Sequence, residues 1–194
     1  WGFVHAVNWE TNASTTPLSK QEAEHFRRRR GQLAAAGAPH SAQARLAAIE
    51  ARGWLIVGDW RASQALLRVT LGSDPGPFAD IMTRLTAALS AAWQGRPAEA
   101  FAHLERADEL VIGDPHGYRN FAFDVVRSVV SLEAGRAAAG YRAAMAGLSW
   151  SSGVLPDLCE FLVPLAARAL ADQAEAARDG GMTEPADDLG GPLA

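Results

Sequence analysis

Three glycines, Gly58, Gly95 and Gly135, stand 37 and 40 residues apart, and each interrupts a stretch that otherwise reads as helix. Between the interruptions lie stretches of about 12 to 18 residues, an ordinary helix length. The breaks come in two kinds. Gly58, Gly95 and Gly135 mark tight turns, whereas Gly72-Ser73-Asp74-Pro75-Gly76-Pro77 and Gly113-Asp114-Pro115-His116-Gly117 are longer links. Alternation of short and long breaks at a near-constant period is what stacked helical hairpins produce. Further breaks stand at Gly37-Ala38-Pro39 and Ser151-Ser152-Gly153, and no run of alternating β-branched residues predicts a strand.

Register supports the repeat. Seven residues before the glycines stand Ala51, Ala88 and Ser128; five after come Ser63, Ala100 and Gly140; twelve after come Thr70, Ala107 and Gly147. All are small, as helices need where they cross at ~8–10 Å. Ten, six and three before the glycine come Leu85, Leu89 and Ala92 in one unit and Val125, Val129 and Leu132 in the next, the apolar stripe of an amphipathic helix. Composition agrees, with 40 alanines and 17 arginines, both strong helix formers, against four isoleucines. Arg so greatly in excess of Lys, with Ala so abundant, also fits the codon usage of a GC-rich bacterial genome.

The expected fold is therefore all-α, a right-handed stack of helical hairpins forming an α-solenoid. Residues 1–40 are expected to form an N-terminal helical pair, with helices near 1–10 and 19–36. Ser19 caps the second, with Glu22 completing a capping box. Residues 41–178 hold three pairs, about 41–72, 78–112 and 117–150, and a long closing helix from about 156. Residues 179–194, rich in Gly and Pro, read as a flexible tail. Each unit of such a stack packs only on its neighbours, so the ends present apolar surface that a second copy, in a homodimer, or adjoining domains would cover.

Several chemistries find no support. A net charge of −4 argues against direct nucleic-acid contact by this segment. One cysteine, Cys159, makes neither an internal disulfide nor a cysteine-based metal site, which predicts a reducing, cytoplasmic setting. No apolar run reaches the ~18 residues of a membrane helix. The start, Trp1-Gly2-Phe3, lacks an initiator Met and a signal pattern, as expected of a domain fragment. No phosphate loop, nucleophile elbow or His-Glu-x-x-His motif occurs. Glu22-x-x-His25 is half of a di-iron motif without its partner carboxylates. His5, His40, His103 and His116 share no ligand spacing, and Asn12-Ala13-Ser14 reads as a chance acceptor match. Cofactors, metals and catalytic residues are not expected.

Arg27-Arg28-Arg29-Arg30 wraps more than a full turn and reads as a solvated or partner-binding face. Trp54, Trp60 and Trp93, near the first two turns, read as packing residues. In a right-handed stack the first helices line the concave side, which nominates Arg45, Arg52, Met82, Leu85, Leu89, Val125 and Val129 for a groove, with burial between pairs as the competing reading for the apolar ones. A pocket framed by Trp1, Trp9 and Trp150 is a further alternative.

The run from Leu46 to Trp60, with Ala65-Leu66-Leu67 and Asp74-Pro75-Gly76-Pro77, resembles a tetratricopeptide unit, and more specifically the repeat region of large ATP-dependent LuxR-type transcriptional regulators of actinobacteria. Gln94-Gly95-Arg96-Pro97-Ala98-Glu99-Ala100 and Leu165-Ala166-Ala167-Arg168-Ala169-Leu170 share that character. Glu50 and Arg127 stand where the pattern usually has Leu, and the large aromatic expected early in each first helix is absent. The resemblance, over about 42–178, implies a sensor between a nucleotide-binding module and a DNA-binding module, with a protein or small-molecule effector in its groove. A free-standing adaptor that binds a protein or peptide is the alternative.

Overall fold

The computed structural model describes residues 19–112, 121–151 and 159–179, and all regular structure among them is α-helical. The helices are α1 (Lys20–Ala35), α2 (His40–Ile56), α3 (Trp60–Leu71), α4 (Pro77–Trp93), α5 (Pro97–Val111), α6 (Phe121–Glu133), α7 (Ala137–Ser151) and α8 (Cys159–Asp179). None is long and apolar enough to cross a membrane.

Local chemistry sets the ends. Ser19 Oγ accepts from the Glu22 backbone N–H at 3.2 Å, and the Ser19 N–H donates to Glu22 Oε2 at 2.6 Å, so the expected capping box forms. Asp59 caps α3, its carboxylate accepting from the Ala62 N–H at 3.0 Å. Pro77 and Pro97 open α4 and α5, where a missing N–H costs nothing. Gly95 and Gly135 close α4 and α6 with φ of 70° each. There the Arg96 and Arg136 N–H groups reach back to Ala91 O and Ser131 O at 2.9 and 2.8 Å. This left-handed closure strains any residue with a Cβ, which is why glycine marks the period.

Consecutive helices pack on one another throughout, and α2, α4, α6 and α8 also pack in series, α2 on α4, α4 on α6 and α6 on α8. The first helices of the hairpins thus form an inner row, while α3, α5 and α7 have no comparable mutual packing. Position in the stack explains the burial. In α4, every residue from Leu85 to Ala92 is buried, whereas α5 buries only Ala100, Leu104 and Ala107. One core runs from Leu55 through Ile81, Leu85 and Leu89 to Phe123, Val126 and Val130.

All nine small residues of the repeat register are buried. At one crossing, Ser128 Oγ on α6 donates to the Gly140 carbonyl on α7 at 2.9 Å. A Cβ at Gly140 would lie 2.9 Å from Leu132 Cγ. One at Gly147 would lie 2.8 Å from Leu162 Cδ1 and 2.9 Å from Asp124 Cβ, where α6, α7 and α8 meet.

Two of the three repeat tryptophans depart from the packing reading. Trp54 is 7% exposed, but Trp60 and Trp93 are 40% and 38% exposed. Both stand at a helix end beside a turn, Trp60 opening α3 and Trp93 closing α4. The expected helix near 1–10, Asn12-Ala13-Ser14, Trp1, Trp9, His5, His116 and the tail beyond Asp179 lie outside the described residues, as do the side chains of Trp150 and Cys159.

Gly147→Ala is expected to destabilise the fold by about 1–3 kcal/mol, because overpacking at the three-helix junction outweighs the gain in helix propensity. At Gly31, in the middle of α1, an added Cβ would meet nothing within 4 Å. Gly31→Ala should therefore stabilise by up to about 1 kcal/mol. Urea denaturation of the two variants checks both signs.

Candidate functional site

The residues nominated for a groove occupy equivalent positions on successive first helices. Arg45 aligns with Met82, Leu85 with Val125, and Arg52 with Leu89 and Val129. The structure seats Leu85 and Leu89 in the core, 3% and 6% exposed, so neither offers contact area. Arg45, Arg52, Met82, Val125 and Val129 are half-buried. The Arg45 guanidinium lies over the Phe78 ring, 4.4 Å from its centroid, which ties α2 to the start of α4. Arg52 stands where the other two hairpins have Leu and Val, and burial lowers its pKa. Guanidinium stays protonated regardless, so this is a cation held in poorly solvated surroundings.

A second register runs along the opposite side of the first helices, where each hairpin meets the preceding helix. Its equivalent residues are Glu50, Ala87 and Arg127. Glu50, only 2% exposed, takes a hydrogen bond from Arg30 Nε of α1 at 2.8 Å and another from Trp54 Nε1 at 3.2 Å. Arg30 thus has a structural task within the basic run, while Arg27 and Arg28 are exposed. Arg127 donates through Nη2 to both carboxylate oxygens of Asp108 on α5, at 2.6 and 2.5 Å. Glu50 and Arg127 therefore each carry an ion pair across a hairpin junction. The middle junction has Ala87 instead, and no ion pair spans α3 and α4 among the described residues.

Two clefts open on this side. One, of about 440 Å³, is lined by Phe101, Leu104, Glu105 and Asp108 of α5, Asp124 and Arg127 of α6, and Arg142 of α7. The other, of about 400 Å³, is lined by Gln64, Leu67, Arg68 and Leu71 of α3, Ala87 and Ser90 of α4, Gln94 and Arg96 of the turn, and Glu99 and His103 of α5. They are the same cleft one repeat apart, because Gln64, Leu67, Arg68 and Leu71 align with Phe101, Leu104, Glu105 and Asp108. Their charges differ. Arg68 in one holds the position of Glu105 in the other, and Leu71 that of Asp108.

The α3–α5 cleft is held by a polar network. Gln94 takes a hydrogen bond from Gln64 at 2.8 Å and donates to Ser90 O and Oγ, each at 2.8 Å. Arg96 donates to Gln94 Oε1 at 3.0 Å and is ion-paired with Glu99. His103 has its pKa lowered, chiefly by burial and next by the Arg84 guanidinium, with Arg96 acting the same way and Glu99 and Asp80 opposing. Its ring is therefore neutral near pH 7. The spacing of histidines in the sequence did not single out His103. Carrying the repeat register into the second helices, where Arg68 aligns with Glu105, would have located both clefts.

Among the described residues no three of His, Cys, Asp and Glu converge as metal ligands. Comparison with known protein families, curated proteins and solved structures finds no match.

Arg30→Ala would leave the Glu50 carboxylate buried with one donor, at an expected cost of about 2 kcal/mol in denaturant unfolding. His103 should titrate below the ordinary histidine value in an NMR pH series, and Arg84→Gln should move its midpoint up. Because the folded-state pKa is the lower one, stability from the neutral ring is present above the unfolded value and lost as pH falls through the folded value. The thermal midpoint should fall across that window, and less so in His103→Gln.

Proposed function

We infer that this chain is a non-catalytic sensor and interaction segment of a bacterial LuxR-type transcriptional regulator, acting in the cytoplasm. Serial packing of α2, α4 and α6 carries this reading, because it sets repeat-equivalent side chains in one row. Arg45, Arg52, Met82, Val125 and Val129 give that row cationic and apolar character at half-buried positions. A protein or small-molecule effector bound along it would contact several hairpins at once. Because each hairpin packs only on its neighbours, such a ligand favours one relative placement of hairpins, and so of whatever is joined to their ends. The resemblance of residues 42–178 to the repeat region of these regulators supplies the functional context.

Sequencing the gene on both sides of this segment tests the reading. A phosphate-binding loop upstream and a helix-turn-helix downstream are expected. An open reading frame with neither would overturn it in favour of a free-standing adaptor.

A further inference from the structure

We propose that the cleft between α3 and α5 is a binding site for the phosphate or carboxylate group of a small molecule, with Arg68 as its principal cation. This site lies away from the groove, on the side where the hairpins meet, and does not depend on the regulator reading.

At the hairpin junctions, Glu50 and Arg127 each carry an ion pair, to Arg30 and Asp108. Ala87, at the same position of the middle hairpin, is too short to bridge anything, and a cavity of about 400 Å³ stands in front of it. That volume lies within the usual range of small-molecule sites. Arg68 projects from the α3 wall with no carboxylate partner among the described residues, at the position where the neighbouring cleft has Glu105. Arg96 and His103 line the cleft from the turn and α5. Arg96 is held in place by Gln94 and Glu99, so little side-chain entropy remains to be lost there. An oxyanion bound at Arg68 would supply the charge pairing that the middle junction lacks. Its arrival also favours the protonated form of His103, against the cations Arg84 and Arg96 and alongside the acids Asp80 and Glu99. Binding therefore takes up a proton and strengthens as pH falls toward the histidine range.

The probes are inorganic phosphate and acetate, each titrated into the protein while the His103 ring resonances are followed by NMR at several pH values. Saturable shifts of His103, with tighter binding at lower pH, are expected for at least one of them. Arg68→Gln, an exposed position, should weaken binding about tenfold or more, since a charge-assisted contact is lost. Ala87→Glu, which introduces the acid that Glu50 provides one repeat earlier, should abolish binding by occupying the cleft. Arg142→Gln, in the neighbouring cleft, should bind as the parent does. Circular dichroism of each variant verifies the fold. No saturable shift with either anion overturns the proposal, as do shifts that survive both Arg68→Gln and Ala87→Glu.

Discussion

Close approach of helix backbones is the condition on which the stack rests. Where Ser128 of α6 donates to the Gly140 carbonyl on α7, no volume remains for a Cβ at 140. Ala51 with Ser63, and Ala88 with Ala100, stand at the equivalent positions of the preceding hairpins, and all four are buried. With small residues at these points the larger ones, Leu55, Ile81, Leu85, Leu89, Phe123 and Val130, fill the space between neighbouring hairpins as one core. A larger side chain at a crossing would separate the helices and open that core along its length.

Tight inner packing leaves charge to act at the margins. The first helices are largely buried, so a polar residue on them must find a partner within the protein, as Thr83 and Thr86 do on their own helix. Glu50 and Arg127 find theirs on a neighbouring helix, and each pairing also fixes how one hairpin sits against the element before it. The middle hairpin, with Ala87, makes no such connection. Its junction relies on apolar contact through Leu67 and Ala51 and on the Gln64–Gln94 hydrogen bond near the turn. That difference in otherwise equivalent units is where a ligand has room and a cation to meet.

Much of the fold can be read without coordinates because it follows from chemistry within a few residues. The capping box at Ser19, the prolines opening α4 and α5, and the positive-φ glycines closing α4 and α6 are each decided locally. The nine small residues emerge from aligning those glycines, since a repeat places equivalent residues in equivalent surroundings. Tryptophan is harder. Trp54, Trp60 and Trp93 have the same preference for burial, but only Trp54 falls on a covered face. For Trp60 and Trp93, the decision rests on what packs beyond a turn.

The helical class, the turn positions and the hairpin register are thus properties of the chain read residue by residue, because helix signals and small-residue periodicity act over single turns. Assembly of the hairpins was needed to bring Arg30 to Glu50 and Arg127 to Asp108, and to assign Leu85 and Leu89 to the core and not to a surface groove. The paired charges lie 20 and 19 residues apart, and nothing local couples them. Their meeting depends on the angle and spacing at which whole hairpins pack. The clefts beside Ala87 and Arg127 exist for the same reason, since they are the space that packing leaves between units.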